Sequence, residues 1–347
     1  MVLNNIRLRN FRNYKEREFA FDPRITVITG PNGSGKTNIL EAVYVLATGK
    51  SFRDSDIHLA AHDTDWWLVE GEMSGHTREV RLQQGRKSYT LEGTRYQRRP
   101  KTFELPVLLF EPDHLQLIHG SPRSRRVFLD TIASRLFPEY ASVLRQFERI
   151  LLQRNKLLKH SPVDTDQLFI WDLQFAEAAE KMYATRQTIL QWWNSSLSSH
   201  YSHIAGAPTD IGVEYQTSVH GDAYKQSLLR LLHAHQARDS MLGTTTVGPH
   251  RDDYMFYIDS SDFVTTASRG EIRSLLLSIT YATYLQMSEQ FGEHPLVLLD
   301  DVFSEFDSQR QTQLMSLFAD TSMILTGTDN DVSAVPATAA HIDLGGS

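Results

Sequence analysis

The stretch RITVITGPNGSGKT, residues 24–37, decides the fold of this chain. It ends in the spacing of a phosphate-binding loop, which is formed by Gly30, Gly35, Lys36 and Thr37. The glycines let several backbone N–H groups point at one anion, and a helix that begins near Thr37 would direct its positive end at the same phosphates. A simple glycine-rich turn is the alternative. The apolar run before the loop and the helical spacing of apolar residues after it favour a site for a nucleoside triphosphate.

Two side chains of the loop carry its chemistry. Lys36 would reach the β- and γ-phosphates, and the Thr37 hydroxyl would hold Mg²⁺. A metal held in this way needs an acidic partner, and LVLLDD (296–301) supplies one because an apolar strand that ends in an acid is the Walker B pattern. We expect Asp300 to hold the metal and Asp301 to orient the attacking water. The alternative is that both acids are simply polar surface residues that follow a buried strand.

A second candidate phosphate-binding element begins the helix predicted at 269–290. The sequence there is TTASRGEIRSLLLSI, and Ser268 and Gly270 would present a hydroxyl and free amide groups to a phosphate. No second Lys/Thr pair accompanies them, so this element is half of a site. A capping box of Ser268 with Glu271 explains the same residues, and the two interpretations are compatible.

The composition describes an ordinary globular protein. The chain has 347 residues, of which 41% are hydrophobic and 22% charged, and this length suffices for one large domain or two lobes. No run approaches eighteen consecutive apolar residues, and the N-terminal residues lack the apolar core of a signal peptide. The absence of cysteine excludes disulfides, Cys-based zinc sites and a thiol nucleophile. We expect a cytoplasmic protein with no membrane partner.

The charge distribution leaves a nucleic-acid partner open. The net charge is −7, but lysine and arginine are concentrated in two blocks. Residues 78–101 hold eight of them against two Glu, and residues 121–159 hold nine against three acids, so each block has a balance of +6. Such blocks can form a phosphate-binding surface on an acidic protein. A solvated face with scattered arginines is the alternative.

Strand-like and helical segments divide the chain into three parts. Short β-rich segments dominate the first hundred residues, a helix follows Lys36, and the apolar run PVLLF (106–110) ends this part. The apolar spacing then becomes helical and predicts two long helices in an antiparallel hairpin, after which strands and helices alternate again. The pattern predicts an α/β unit, 1–111 and 244–347, that is split by a helical insertion at 112–243.

The phosphate loop, the helix start at 268–271 and the Walker B strand, in this chain order, resemble the motifs of an ABC-type ATPase head. Within the SMC-like part of that superfamily, the chain resembles the RecF family of bacterial recombination mediators. The stretches that carry the resemblance are LRNFRNY (8–14), GPNGSGKTNILEAVYVLATGKSFR (30–53), FEPDHLQLIHGSPRSRRVFLD (110–130), TTVGPHRDD (245–253), SRGEIRSLLLS (268–278) and LLDDVFSEFD (298–307). The resemblance implies an α/β lobe I with additional antiparallel strands at 1–111 and 244–347 and a helical lobe II at 112–243. It also implies a signature motif at the lobe junction, 268–271, and no long coiled coil.

The resemblance also implies a function. In such heads ATP lies between Walker A of one copy and the signature motif of another, so ATP drives homodimerisation. The family binds DNA, both single- and double-stranded, in an ATP-dependent manner at gaps and single-strand/double-strand junctions. It works with RecO and RecR to load RecA, and it supports replication and the SOS response. We therefore expect a protein of recombinational DNA repair with weak, DNA-stimulated ATP hydrolysis that resets the dimer.

The same resemblance assigns the residues of the nucleotide site. The residues expected to bind ATP and its phosphates in one copy are Gly30, Pro31, Asn32, Gly33, Ser34, Gly35, Lys36, Thr37 and Asn38. Arg12 of LRNFRNY is placed at the rim of the pocket. Ser268 and Gly270 would complete the γ-phosphate shell only from the second copy.

The remaining assignments concern catalysis, the metal and DNA. The expected catalytic residues are Asp301 and Lys36, and the expected Mg²⁺ ligands are Thr37 and Asp300. The candidate DNA contacts are Arg53, Arg123, Arg125 and Arg126, and phosphate sensing is a second candidate role for Arg53. For these arginines, as for Arg12, a structural role is the alternative.

The signature motif departs from the family pattern, which more often reads S-Q-G-Q. Here Arg269 and Glu271 replace the two glutamines. Arg269 would add a positive charge near the γ-phosphate, whereas Glu271 would weaken binding there or cap the helix. The strength of ATP-driven dimerisation depends on which effect dominates.

Three other assignments share part of this pattern. A long-armed chromosome-cohesion ATPase needs a long coiled coil, whereas the helical insertion has only about 130 residues and each helical residue adds about 1.5 Å. For an ATPase subunit of a membrane transporter, LRNFRNY and the basic helical lobe are unexpected. An ATP-gated DNA clamp with negligible turnover is a binding module rather than an enzyme, and Asp301 is the residue that distinguishes the two.

Overall fold

The computed structural model of the chain describes residues 1–111, 114, 120–160, 162–221, 223–259, 261–328 and 335–345. The chain divides into two compact units: unit 1 is Met1–Pro112 with Met287–Ser347, and unit 2 is Asp113–Gln286. Unit 2 thus continues to residue 286, whereas the predicted insertion ends at 243. The predicted boundary at residue 112 lies outside the described residues.

The described residues form strands and helices with the following bounds. The strands are β1 (Leu3–Phe11), β2 (Tyr14–Ala20), β3 (Ile25–Thr29), β4 (Trp66–Met73), β5 (His76–Gln83), β6 (Arg86–Leu91), β7 (Thr94–Tyr96), β8 (Val107–Phe110), β9 (Ile211–Gln216), β10 (Asp253–Ile258), β11 (Ser261–Asp262), β12 (Leu296–Leu299), β13 (Met323–Gly327) and β14 (Ala340–Asp343). The helices are α1 (Lys36–Thr48), α2 (Pro122–Leu136), α3 (Tyr140–Leu158), α4 (Thr165–Ala205), α5 (Tyr224–Leu242), α6 (Phe263–Thr266), α7 (Arg269–Phe291) and α8 (Ser308–Leu317). No helix of this described part is both long and apolar enough to cross a membrane.

Unit 1 contains two sheets. One is antiparallel, with the strand order β2-β1-β4-β5-β6-β7, and the other is parallel, with the order β14-β3-β13-β12-β8. Strands β8, β12 and β13 are apolar runs that are buried along their whole length, as expected for parallel strands covered on both faces. Because these strands are parallel, the residues that follow them meet at one edge of the sheet.

Helix α1 lies in the core of unit 1. It contacts β1, β4 and β5 of the antiparallel sheet as well as β8 and β13 of the parallel sheet. Its apolar side chains, among them Ile39, Val43 and Leu46, are fully buried, and burial of such a side chain contributes about 1.5–3 kcal/mol. The packing therefore fixes the start of α1, where the glycine-rich loop ends.

Unit 2 is built on a hairpin of two long helices, α3 and α4. Helix α4 has 41 residues, a length of about 60 Å. Its first turn is capped by Asp164, whose side chain accepts from the Gln167 backbone N–H, and its C-cap residue is Gly206, which has a φ of +76°. A small antiparallel sheet, β9-β10-β11, completes the unit. Since β10 follows residue 243 and pairs with β9, the segment after 243 belongs to unit 2.

A buried arginine joins four parts of unit 2. The Arg186 guanidinium on α4 donates to both oxygens of Asp130 on α2 at 2.9 Å, to the Tyr215 hydroxyl of β9 at 3.0 Å and to the Pro249 carbonyl at 2.8 Å. Burial alone lowers the pKa of Arg186, but Tyr215, Tyr140 and Asp130 together raise it well above its ordinary value. Arg186 therefore stays charged and holds these elements together.

Candidate nucleotide site

The loop before α1 adopts the backbone that its glycines predict. Gly30, Gly33 and Gly35 have φ values of +149°, +83° and +102°. Gly35 is the most constrained, because a Cβ there would lie 2.7 Å from Asn13 Nδ2 and from the Tyr14 hydroxyl oxygen. It is also the N-cap of α1 and makes no side-chain cap. The first turn of α1 therefore presents its N–H groups at the loop, as anion binding requires.

Lys36, the first residue of α1, places a positive charge inside this loop. The side chain is 8% exposed, and its Nζ donates to the Gly30 carbonyl at 2.7 Å and to the Pro31 carbonyl at 3.0 Å. These bonds hold the ammonium across the loop. A phosphate oxygen bound there would accept a charge-assisted hydrogen bond from Lys36, which is stronger than one from a neutral donor.

Thr37 and Asp300 meet at the end of the parallel sheet. The Thr37 hydroxyl donates to Asp300 Oδ1 at 2.9 Å. The Asp300 amide donates to the Phe110 carbonyl at 2.9 Å, which fixes the residue at the carboxyl end of β12. Burial raises the pKa of Asp300, although hydrogen bonds from Thr326 and Thr37 oppose the shift.

The donors present fit a magnesium ion. Mg²⁺ prefers oxygen ligands and in phosphate-transferring sites takes one or two from the protein and the rest from phosphates and water. The Thr37 hydroxyl and the Asp300 carboxylate supply two such oxygens. Among the residues that the structure describes, no group of three or more His, Cys, Asp or Glu side chains could hold a metal ion. A bound Mg²⁺ would therefore need oxygens from phosphate and water as well.

Thr326, at the end of β13, is a site residue whose contacts the sequence does not predict. Its hydroxyl donates to Asp300 Oδ1 at 2.8 Å and accepts from the Asp301 amide at 2.9 Å. Asp301 has a φ of +48°, which is uncommon for a residue with a side chain and marks a constrained turn. The apolar strand MILTG predicts where β13 ends, but only the strand pairing brings its threonine beside the two acids.

A cavity of about 320 Å³ opens at these residues. It is lined by Asn32, Gly33, Gly35, Lys36, Thr37, Asn38, Arg53, Asp300, Asp301 and Thr326. The structure thus brings the predicted Walker A and Walker B residues together. The polar lining suits a polyphosphate rather than an apolar ligand. Of the predicted loop residues, Gly30, Pro31 and Ser34 are not part of this lining, and Ser34 Oγ is buried without a hydrogen-bond partner among the described residues.

The turn between β1 and β2 supports the loop from one side. Asn13 Oδ1 accepts from Asn38 Nδ2 at 2.9 Å, and the Tyr14 hydroxyl donates to the Gly35 carbonyl at 3.3 Å. Burial raises the pKa of Tyr14 to about 12, so the phenol stays protonated as a donor.

Arg53 Nη1 donates to Asn38 Oδ1 at 3.3 Å. Its place in the cavity lining puts Arg53 beside the phosphate loop, which favours phosphate sensing over DNA contact.

Arg12, predicted at the rim of the nucleotide pocket, is not among the residues that line the cavity. Its guanidinium forms a bidentate pair with the fully buried Glu41 of α1, with both N–O distances at 2.8 Å, and donates to the His58 carbonyl at 3.0 Å. The hydrogen bond to Glu41 raises the pKa of Arg12. These contacts give Arg12 a structural role: it ties the β1–β2 turn to α1.

Some cations of the basic block 78–101 form hydrogen bonds within unit 1. Arg78 donates to the Leu46, Ala47 and Phe103 carbonyls, and burial lowers its pKa to about 10. Lys87 and Arg99 donate to the Gly49 and Thr48 carbonyls. Three cations therefore satisfy the carbonyls at the end of α1, where the negative end of the helix dipole favours them. This explains part of the block without a nucleic acid.

Comparison with known proteins assigns the chain to a family. The family model described as "RecF/RecN/SMC N terminal domain" matches residues 2–335. The chain is 32% identical over 341 residues to the DNA replication and repair protein RecF of Agathobacter rectalis, and the match covers 95% of this chain and 93% of that protein. The chain belongs to the RecF family. The predicted resemblance is thereby confirmed.

Solved structures agree with this assignment. The structure of the recombination mediator protein RecF-ATPrS in the RecFOR pathway matches with a TM-score of 0.88 and 27% identity, covering 99% of this chain and 96% of that chain. The structure of RecF-ATP in the same pathway matches with a TM-score of 0.82 and 27% identity, covering 94% of this chain and 92% of that chain. The predicted fold class, a P-loop ABC-type ATPase head with a helical part, is confirmed.

The RecF-like signature segment begins α7 with a capping box. The Ser268 amide and hydroxyl both donate to Glu271 Oε2, at 2.7 and 2.6 Å, and Ser268 Oγ lies 3.4 Å from the Glu271 amide. These bonds lower the pKa of Glu271, which therefore stays ionised. Ser268 and Gly270 belong to unit 2, whereas the phosphate loop belongs to unit 1.

The predicted DNA contacts on α2 have different surroundings. Arg123 is exposed. Arg125 is 8% exposed and forms a bidentate pair with Asp253, and Arg126 Nη1 donates to the Asp252 carbonyl at 2.6 Å. Arg125 and Arg126 therefore tie α2 to the GPHRDD segment, and these contacts contradict a DNA-binding role for Arg125.

Proposed function

We propose that the chain is an ATP-dependent DNA-binding protein of recombinational repair that dimerises on ATP. The observation that carries this proposal is the cluster formed by Thr37, Asp300 and Thr326 beside the Lys36 ammonium. This cluster has the two parts of a P-loop ATPase site, a phosphate cradle and an acid beside the metal-binding hydroxyl. The structures of RecF with ATP and with ATPrS support ATP as the nucleotide.

Each residue of the cluster has a separate task. Lys36 binds the β- and γ-phosphates, and Thr37 with Asp300 holds Mg²⁺, which when bound would neutralise phosphate charge. Thr326 fixes the Asp300 carboxylate and, through the Asp301 amide, the turn that carries Asp301. Asp301 orients the attacking water.

The site is completed by a second copy of the chain. The N–H groups at the start of α7 and the Ser268 hydroxyl are suited to the γ-phosphate of ATP bound in the partner. Glu271 carries a negative charge at the same helix start, which opposes phosphate binding. Arg269 offsets part of this charge. We therefore expect ATP-driven dimerisation to be weaker than for a chain that has glutamine at position 271.

Hydrolysis of ATP is slow and DNA-stimulated, and it resets the dimer. The DNA is gapped or carries a junction between single and double strands. The names of the relatives, which describe DNA replication and repair and the RecFOR pathway, support this role. We propose that RecO and RecR are partners, that RecA is loaded as a result, and that the protein acts in the cytoplasm and supports replication and the SOS response.

Gapped-DNA binding and phosphate release, measured on wild type and Asp301→Asn, test the proposal. Wild type should bind gapped DNA much more tightly with ATP than without it. Asp301→Asn should keep ATP-dependent binding but lose most of its phosphate release, since the amide is a weaker acceptor for the water. The change is isosteric, so the turn held by Thr326 should persist.

Two results would contradict parts of this proposal. DNA binding by wild type that is equal with and without ATP would contradict ATP dependence. Phosphate release that is unchanged in Asp301→Asn would show that this residue has no catalytic role, and release near zero in both proteins would favour an ATP-gated clamp with negligible turnover.

A further inference from the structure

The basic block 121–159 separates into interior and surface cations. Arg125 and Arg126 bond to the GPHRDD segment, as described above. Arg154 on α3 is fully buried and donates to Asp172 at 2.6 Å and to Asp239 at 2.9 Å. These three cations are neutralised or held within unit 2. The surface charge of the block therefore comes from other residues.

Four of the remaining cations lie along one exposed face of α3. They are Arg145, Arg149, Lys156 and Lys159, the last being the C-cap residue. At about 100° per residue, their positions fall within an arc of about 80°. No ion pair joins any of them to a carboxylate of the described residues. We call these four residues the α3 ridge.

The α3 ridge has the length and charge spacing of a phosphate backbone. Arg145 and Lys159 are fourteen residues apart, which is about 21 Å along the helix axis. Double-stranded DNA carries one phosphate per strand for about every 3.4 Å of its axis, so the ridge spans about six base pairs. Within α3, the acid beside this face is Glu148, which leaves the ridge strongly positive.

The other side chains on this face discriminate between possible partners. Single-strand binding relies on aromatic side chains that stack on bases, whereas the aromatic residues of α3, Tyr140 and Phe147, are buried. A membrane-surface helix needs a continuous apolar face, whereas this face has only Leu152, which is 66% exposed, among the four cations. Both observations favour the backbone of a duplex.

We propose that the α3 ridge binds the phosphate backbone of double-stranded DNA, in the duplex part of the proposed gapped substrate. This inference rests on the proposed DNA-binding function and names the surface that carries it. The contacts are to phosphate and carry no base specificity. The ridge thus replaces the buried Arg125 as the DNA-contacting part of the block.

Salt-dependent binding of a duplex DNA in the presence of ATP tests the ridge. The ridge variant is Arg149→Gln with Lys156→Gln, and the matched control is Lys15→Gln with Lys181→Gln, which removes two exposed charges elsewhere. The ridge variant should reduce the slope of log K against log salt by about two and weaken binding on the order of tenfold or more at 0.1 M salt. Glu148→Lys should bind more tightly and steepen the slope by about one.

The outcomes separate the ridge from the proposed function. If the ridge variant and the control bind duplex alike, while wild type binds well, the ridge is overturned and the function stands. If the ridge variant loses binding to a single strand but not to a duplex, the assigned partner is wrong. If wild type binds no DNA with ATP, the proposed function fails and the ridge fails with it. Sedimentation with ATP shows that the variants still fold and dimerise.

Discussion

Replacing Lys36 with alanine should weaken ATP binding and abolish ATP-dependent dimerisation at the ATP concentration that suffices for wild type. The Lys36 ammonium is held inside the phosphate loop by the Gly30 and Pro31 carbonyls. A hydrogen bond to a charged group contributes about 1.5–3 kcal/mol, so the loss of even one to a phosphate should weaken ATP binding at least about tenfold. Analytical ultracentrifugation with and without ATP measures the dimer, and isothermal titration with ATP measures the affinity.

A matched control variant shows whether the effect of Lys36→Ala is specific to the phosphate loop. Lys15→Ala removes an exposed lysine from β2 and should dimerise with ATP as wild type does. Thermal unfolding without ATP should be similar for both variants, because Lys36 bonds only two carbonyls at the loop. A Lys36→Ala chain that reaches the dimer mass at the ATP concentration sufficient for wild type would contradict the assigned role.

Replacing Arg186 with methionine should strongly destabilise unit 2. The change removes five hydrogen bonds, and it leaves the Asp130 carboxylate without its cation. Removing one partner of a buried ion pair typically costs about 3–5 kcal/mol. Native-state hydrogen exchange of the α4 amides measures the loss directly in this unit, since exchange reports the free energy of opening of each segment.

The same helix offers a control for this prediction. Lys181, one turn of α4 away, pairs with Glu177 on the surface, and Lys181→Met should change α4 exchange little because exposed pairs contribute little. Arg186→Lys should be intermediate, since lysine keeps the charge but not the fork that meets both Asp130 oxygens. Equal exchange in Arg186→Met and Lys181→Met would show that the Arg186 network is not a source of stability.

The parts of the site that depend on short motifs could be predicted from the sequence. GPNGSGKT specifies its own backbone through glycines at fixed positions, and LVLLDD places an acid at a strand end. Both are local properties. The meeting of Thr37 with Asp300 also follows, because parallel strands bring their carboxyl ends to one edge.

The contacts of Arg12, Arg125 and Thr326 could not be predicted, because each depends on a partner far along the chain. Arg12 bonds Glu41 on α1, and Arg125 bonds Asp253, which is 128 residues away. A basic block in sequence gives no sign of which cations face inward, since burial is a tertiary property. The sequence pattern places the end of the insertion at 243 for the same reason. It does not reveal that β10 pairs with β9, which joins segments on both sides of that residue.

Mixing two defective chains tests most directly whether ATP is shared between two copies. Lys36→Ala removes the phosphate-binding ammonium of one chain, and Ser268→Arg blocks the start of α7 in the other. Neither chain should dimerise with ATP alone, whereas an equimolar mixture should form a heterodimer through its one intact composite site, visible as a dimer mass that requires ATP. If Ser268→Arg alone dimerises like wild type, or if the mixture stays monomeric at saturating ATP, the shared site is wrong.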